Sequence, residues 1–407
     1  MSKLNVPNTL TGVSAVQLER VVVGVPREIM PGENRVSAIP ETVEKMIAAG
    51  AEVLVESGAG AGAFIDDAEY QAKGAEILED LQELYSKANV IIKVKEPRHH
   101  EKYGKHETEL FSENSVVISF LHPAHSVNHD GLKIMAERNI TGFTLDGIPR
   151  ISRAQQMDSL TSMSTVAGYK AVIFAANHLG RFIPMMPTSF GIINPAQFLV
   201  VGTGVAGLQS IATAKRLGAK VNTLDIRPEA NEQARSLGAE NIEFDVPQEL
   251  AVGDGGYARR LPEEWYEKER KLLASHVEQS DAVILTALIP GEVAPKIVDE
   301  EMVSNMKKGS VIVDIAVDQG GNCSLTRCGE EYTHEGITIS GIMNVPATLP
   351  IDGTNMFAQS TYNFFAYIIE NGTVKTDTSD EIVESTLVTH NGKIVHDGTL
   401  RAMGMET

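Results

Sequence analysis

The chain has 407 residues, 54 acidic against 35 basic, for a formal net charge of -19. Such an acidic surface repels a phosphate backbone and argues against nucleic-acid binding, while the length favours at least two domains. No apolar run approaches the ~20 residues that span a bilayer. The opening "MSKLNVPNTLTGVSAVQLER" lacks the apolar block of a signal peptide. Cys323 and Cys328 are the two cysteines, too few for a disulfide framework and wrongly spaced for a zinc site. The expectation is a cytoplasmic α/β protein with no metal and no membrane span. Aromatics make up 5% of the residues, so aliphatic side chains must fill its cores.

In chain order, short apolar runs alternate with amphipathic stretches. "VVVGV" (21–25) precedes a helical pattern "PETVEKMIAAG" (40–50). Then come "AEVLVES", a helix around "LEDLQELYSKA", "NVIIKVK", "SVVISFL", a helix around "DGLKIMAERN", and "ITGFTL". Continuous Val/Ile runs between helices predict parallel sheets covered on both faces. A long helix follows through "SMSTVAGYKAVIFAANHLGRF", then a Pro-, Met- and Gly-rich connector "IPMMPTSFGIINP". The alternation restarts with "AQFLVVG", a helix from Val205, "AKVNTLD", "NIEFD", "DAVILTA", "GSVIVDI" and "ITISG". The tail reads as a helix, "FAQSTYNFFAYIIENG", and a hairpin, "STLVTHNGKIVHDG", with Asn-Gly at its turn. Two similar α/β domains are predicted, doubly wound and Rossmann-like. The first covers 20–165 and is completed by 350–407; the second covers 166–349 and takes up the dinucleotide.

"VVGTGVAG" (200–207) carries that assignment. It follows an apolar strand and opens a helical pattern. Gly202 and Gly204 permit a tight turn and close backbone approach to a pyrophosphate. Gly207 lets the helix press on the strand, and the helix start through Val205 and Ala206 favours the phosphate charge. Asp225 ends the next strand, where a carboxylate can accept hydrogen bonds from adenosine ribose hydroxyls and repel a 2′-phosphate. NAD(H) is therefore expected over NADP(H). Arg227, two residues on, weakens that preference slightly.

Four further residues have chemistry in them. Arg35 lies in "GENRVSAIP", Lys95 ends "IIKVK", His122 ends "VVISFLH", and Asp318 follows "VIVDIAV". Three of them sit at or just beyond apparent strand C-termini, where α/β folds place ligands. An Arg and a Lys could hold a carboxylate and a carbonyl, a His could trade a proton, and an Asp could take charge. Each alone is what a solvated surface residue looks like; the combination beside a dinucleotide domain points to a site. "RHHEKYGKHETE" reads as a solvated loop, and "PEEWYEKERKLLASHVEQ" as an exposed helix face with internal ion pairs.

From about residue 20 onward these segments resemble the family of alanine dehydrogenases and the NAD(H)-binding alpha subunit of proton-translocating transhydrogenase. "PRISRAQQMDSLTSMSTVAGY" is similar to the loop that lines the nicotinamide pocket of transhydrogenase, which implies Arg150, Gln155 and Asp158 as ring-orienting residues. "DIRPE" (with Ile226), "TALIPG" (with Ala287 and Leu288), "KKGSVIVD" and "GGNC" match the same pattern. "GDGGYARR", with Gly256 and Tyr257, resembles the loop that closes over bound nucleotide. "KVKEP", "FLHPA" and "DIAVDQGG" instead resemble the catalytic pattern of alanine dehydrogenase, with Lys95, His122 and Asp318; Arg35 is shared by both branches. Two catalytic functions stay open, beside a third reading as a non-catalytic NAD-binding regulator. In the first, NADH bound here passes hydride to NADP+ on a partner subunit, alongside separate membrane and NADP-binding subunits at the inner membrane. In the second, NAD+ takes hydride from an amino acid. The resemblance also implies a homodimer or larger homo-oligomer.

Overall fold

The computed structural model describes residues 16–253, 256, 258–289 and 293–405. The chain divides into two compact units, one formed by residues up to Leu160 with those from Thr354 onward, the other by Thr161–Gly353.

The first unit is built on one sheet. Its strands lie in the order Lys393–Ile394, Leu387–His390, Thr141–Thr144, Val116–Ser119, Val90–Ile92, Val22–Val25, Glu52–Glu56, Glu76–Leu78. From Thr141–Thr144 to Glu76–Leu78 all neighbours are parallel. Numbered along the sequence, the parallel strands run 3-2-1-4-5-6, the order that puts a switch point between the first and fourth. Val23, Val25, Ile91, Ile92 and Val117 are fully buried, because helices cover both faces and each strand is apolar on both sides. The tail adds an antiparallel edge, Leu387–His390 on Thr141–Thr144. Its hairpin turns through Asn391 (φ 49°) and Gly392 (φ 75°), the two left-handed residues that a type I′ turn requires.

The second unit repeats the plan. Its strands lie in the order Glu240–Asn241, Lys220–Leu224, Gln197–Val201, Ala282–Leu285, Val311–Asp314, Ile337–Ser340, Glu331–His334. The first five run 3-2-1-4-5 in sequence number and are parallel. Alternate residues of one strand feed opposite cores: Phe198 and Val200 pack with Ile211 and Val313, Leu199 and Val201 with Leu273 and Ile312. The antiparallel edge strand Glu331–His334 lies in a stretch that alternates exposure, and the polarity of "EYTH" hides it from a search for apolar runs.

In the connector after the long helix Ser159–His178, Met186–Thr188 and Gly191–Ile193 pair as a hairpin with a fully exposed Phe190 at its turn. Two expectations need correcting. "RHHEKYGKHETE" is a small hairpin, His99–His100 with Lys105–His106, followed by the helical turn Glu107–Leu110. Glu107 is fully buried there, because Lys93 from the sheet meets it. The helix Glu263–Gln279 does carry the ion pair Arg270–Glu263, but Glu269 is buried in its apolar seam rather than exposed. Among the described residues no helix is long and apolar enough to cross a membrane.

Candidate functional site

In the second unit the glycine turn sits at the switch point. Strand Gln197–Val201 ends and Gly202 turns the chain at φ 86°, a conformation that side chains disfavour. A Cβ at Gly202 would also stand 2.9 Å from the Ala287 amide nitrogen. Gly207 is needed for packing: a Cβ there would stand 1.9 Å from the Gly202 carbonyl oxygen. Gly204 differs, with an ordinary φ of -68° and room for a Cβ, whose nearest neighbour would be Arg227 Nη2 at 3.9 Å. It is the N-cap of the helix Val205–Arg216 and supplies no side-chain cap. The first amides of that helix, through Val205 and Ala206, therefore point at whatever anion approaches.

Asp225 ends the next strand and is 5% exposed. Its carboxylate accepts from the amides of Thr203 (2.7 Å) and Arg227 (2.8 Å). The Arg227 guanidinium adds Nε at 2.9 Å and Nη2 at 2.7 Å. Ile226 between them is half-buried against Tyr266 and Leu261. Arg227 Nη1 also donates to the Gly256 carbonyl at 3.3 Å; Tyr257 lies outside the described residues.

Across the switch point, Thr286 Oγ1 donates to the Gly202 carbonyl at 2.8 Å. Asn322 clamps the loop that follows: its Oδ1 accepts from the Ala287 amide, and its Nδ2 donates to the carbonyls of Ala287 and Pro295. Asp314 in turn fixes Asn322, accepting from the amides of Asn322 and Cys323 and from the Thr326 hydroxyl. Leu288 is left 38% exposed on this loop. The fit to a dinucleotide is good: an uncapped helix start, glycines on both sides of Thr203 in the turn, and a buried Thr203 hydroxyl with no hydrogen-bond partner. Asp318 belongs to this unit and is exposed on the turn Val317–Gln319.

The first unit has its own switch point, between Val22–Val25 and Val90–Ile92, and it is charged. Lys93 is fully buried, 3.0 Å from Glu107 Oε1 and 3.5 Å from Glu28 Oε2. Glu107 also accepts from the Tyr85 hydroxyl at 2.9 Å and the Arg98 amide at 2.9 Å. Burial pushes Glu28 up to about 7, against the pull of Lys93 and with the repulsion of Glu107 and Glu33. Glu28 accepts from the Val94 amide at 2.6 Å and so fixes the segment that carries Lys95, itself half-buried. Arg35 is buried and bidentate on Glu33, with Nε–Oε1 2.8 Å and Nη2–Oε2 2.5 Å.

His122 stands beyond the strand Val116–Ser119 with a left-handed φ of 42°, an uncommon conformation for a residue with a side chain and one that collects at working sites. Its Nδ1 is 2.7 Å from Asp146 Oδ1, and its amide donates to Asp146 Oδ2 at 2.8 Å. The Thr144 hydroxyl also donates to Oδ2. Burial pulls the imidazole down, but the charge and hydrogen bond of Asp146 outweigh it and raise His122 above its ordinary value, with Lys95 opposing and Glu96 assisting. Glu96 Oε2 lies 3.9 Å from Nε2 and has no hydrogen-bond partner. Lys95, Glu96, His122 and Asp146 thus gather beyond the C-terminal ends of three neighbouring interior strands.

Arg150, Gln155 and Asp158 follow on the short segment around the turn Ser152–Met157, with Arg150 and Gln155 exposed and Asp158 half-buried. Sequence reading missed Glu28, Lys93, Asp146 and Asn322. Lys93 had a signal, since it shares the side-chain parity of Lys95 in "KVK"; Asp146 had none beyond its place at a strand end.

The comparisons with known proteins fit this geometry. The N-terminal domain of the alanine dehydrogenase/PNT family matches residues 24–167, and its C-terminal domain matches residues 171–397. An NAD(P) transhydrogenase alpha-subunit chain of Rhodospirillum rubrum is 42% identical over 92% of this chain and 97% of its own length. The alanine dehydrogenase of Methanococcus maripaludis is 31% identical over 94% and 96%. The crystal structure of transhydrogenase from Sinorhizobium meliloti superposes with a TM-score of 0.78 at 37% identity, covering 92% of this chain and 99% of that one. With both domains matched and these identities sustained over nearly the whole length, the chain belongs to the alanine dehydrogenase/PNT family.

Proposed function

We propose that this chain is the NAD(H)-binding alpha subunit of an NAD(P) transhydrogenase, an oxidoreductase that passes hydride between NADH held here and NADP+ held by a partner subunit. The observation that carries it is the near-complete match, 97% of the relative's length, to a transhydrogenase alpha subunit by a chain whose second unit has a glycine turn and strand-end acid at its switch point. The nicotinamide ring supplies the hydride. The protein's role is placement: the amides from Val205 on face the pyrophosphate, Asp225 and Arg227 face the adenosine ribose, and Ala287, Leu288 and Ile226 form the walls. Gly256 and Tyr257 belong to the covering loop in this reading. Arg150, Gln155 and Asp158 orient the nicotinamide, and hydride transfer needs that near-contact geometry. No acid or base is required.

Assembly completes the proposed machine. Coupling to proton translocation requires separate membrane and NADP-binding subunits, with this chain peripheral at the membrane. A homodimer fits the apolar hairpin, where Phe190, Ile192 and Met185 are exposed. Sedimentation at a monomer mass near 44.0 kDa in the micromolar range would contradict it.

One observation favours a second reading, an NAD-dependent dehydrogenase of an amino acid such as alanine. His122 is aimed by Asp146 and neighboured by Lys95 and Glu96, a set able to move a proton; Arg35 and Asp318 would serve the same reaction. Assay of the purified chain with L-alanine and NAD+ separates the two.

A further inference from the structure

The tail helix Pro350–Ile368 is fixed by its apolar face. Phe357, Phe364 and Ile368 are fully buried. Phe364 meets Phe143 of the strand Thr141–Thr144 edge-on, with ring centroids 5.9 Å apart. Asn363 and Tyr367, four residues apart, share another face of the same helix. That face holds the turn Ser152–Met157. Asn363 Nδ2 donates to the Gln156 carbonyl at 2.9 Å, and the Tyr367 hydroxyl accepts from Arg153 Nη1 at 2.8 Å.

Asp380 closes the arrangement. Its carboxylate accepts from Arg153 Nη2 at 2.7 Å and from the Tyr367 hydroxyl. It also caps the helix Glu381–Thr386, accepting from the Ile382 amide at 3.1 Å. The Arg153 guanidinium therefore spreads its fork over two acceptors that already bind each other. Lys375 lies 4.5 Å from the centre of the Tyr367 ring and adds a cation to its face. Arg153 keeps half of its side chain in solvent, and an ion pair so exposed adds little to stability. What a closed ring of three hydrogen-bonded groups adds is direction. The hydrogen bonds inside such a tight turn are poorly aligned. Burial of Ala154 and Met157 seats the turn from below, and the bonds from the tail hold its outer side.

We propose that Arg153 is a positioning residue for hydride transfer: held by Tyr367 and Asp380, it fixes the turn from which Arg150, Gln155 and Asp158 orient the nicotinamide ring. The inference rests on the transhydrogenase reading above. Arg153 stands between Arg150 and Gln155 in the sequence, and its side chain is committed to the tail. Released from that hold, the turn shifts and the ring shifts with it. In the same reading the pyrophosphate and adenosine ribose are held by the second unit, through the amides from Val205 on and Asp225. Affinity for NADH therefore stays while the rate falls.

The test compares Arg153→Ala, Arg153→Lys and Tyr367→Phe in the complex with the membrane and NADP-binding subunits, reading hydride exchange, NADH affinity and Tm. Arg153→Ala is expected to lower kcat ~10-fold, within the ~100-fold that a misplacement of about 1 Å can cost. KM for NADH and Tm should stay close to wild type. Arg153→Lys keeps the charge without the fork and recovers part of the rate. Tyr367→Phe keeps the ring, loses the hydroxyl, and falls between wild type and Arg153→Ala. With NADH deuterated at the transferred position, the isotope effect on exchange rises in Arg153→Ala, because the hydride step becomes the slower one. A variant that merely folds less well loses rate without moving that ratio. A wild-type kcat and isotope effect in Arg153→Ala overturn the proposal, as does a loss of rate matched by a loss of NADH affinity or of Tm. If Arg150→Ala or Gln155→Ala slows exchange and Arg153→Ala does not, this inference alone fails. Absence of exchange in the wild-type complex removes the function reading and this inference with it.

Discussion

Arg227 clasps Asp225 at two points, Nε 2.9 Å from Oδ1 and Nη2 2.7 Å from Oδ2. The acid that should turn away a 2′-phosphate is thus partly neutralised by a side chain able to accept one. Removing either partner should move cofactor choice in opposite directions. Asp225→Ala is expected to weaken NADH binding by ~10- to 100-fold, the worth of hydrogen bonds to a charged group, and to narrow the gap to NADPH. Arg227→Ala should widen that gap. Calorimetric titration with both nucleotides checks this; a wild-type chain that prefers NADPH contradicts it.

The glycines of the turn separate folding from binding. Gly207→Ala places a Cβ 1.9 Å from a backbone oxygen and should destabilise the chain by ~1–3 kcal/mol or more, since the clash is with main chain. Gly204 has room for a Cβ and an ordinary φ. Gly204→Ala should melt at the wild-type temperature yet bind NADH more weakly, because the methyl group meets the pyrophosphate. Calorimetric melting beside an NADH titration reads both; equal losses of Tm in the two variants would contradict the distinction.

His122 and Asp146 make a pH prediction. The imidazole is raised and the carboxyl lowered. The first contributes stability that is full below the ordinary 6.5 and lost as pH rises through the folded value. The second contributes stability present above the ordinary 3.8 and lost as pH falls through its folded value. The pair therefore supports the fold most between about pH 4 and pH 6.5. In Asp146→Asn the ring loses its counter-charge and a charge-assisted hydrogen bond, so His122 should titrate lower than in the wild type. Proton NMR of the imidazole reads this directly, and an unmoved titration would contradict it.

Lys93 is buried between Glu28 and Glu107. Lys93→Met leaves one or both carboxylates without a cation and is expected to cost ~3–5 kcal/mol, as breaking a buried ion pair does. Urea unfolding should show it; a loss below ~1 kcal/mol would mean that the cluster is not ion-paired.

Much of the fold was readable because parallel strands covered on both faces are apolar along their whole length. "VVVGV", "SVVISFL" and "AQFLVV" announce themselves, and "NGK" fixes a hairpin. The edge strand Glu331–His334 and the hairpin at Met186–Ile193 were hidden, since one is polar and the other exposed. The buried charges were hidden for a different reason. Glu107 and Glu269 look like solvent-facing acids until the fold buries them, Glu107 against Lys93 and Glu269 in the apolar seam of its helix. Lys95, His122 and Asp225 could be singled out as candidates because ligands of this fold gather beyond strand ends. Asp146 needed the neighbouring strand Thr141–Thr144 to bring it beside His122.

The most direct test of the account is hydride exchange. The purified chain should bind NADH and show negligible reduction of NAD+ by L-alanine. Combined with the membrane and NADP-binding subunits, it should exchange hydride between NADH and NADP+, and Arg150→Ala or Gln155→Ala should lower that rate by up to ~100-fold through misplacement of the ring, while Lys95→Ala and His122→Ala change it little. Rapid reduction of NAD+ by L-alanine with the chain alone, abolished in Lys95→Ala or His122→Ala by the ~100- to 10,000-fold that an acid–base group supplies, would contradict the account and establish the dehydrogenase reading instead.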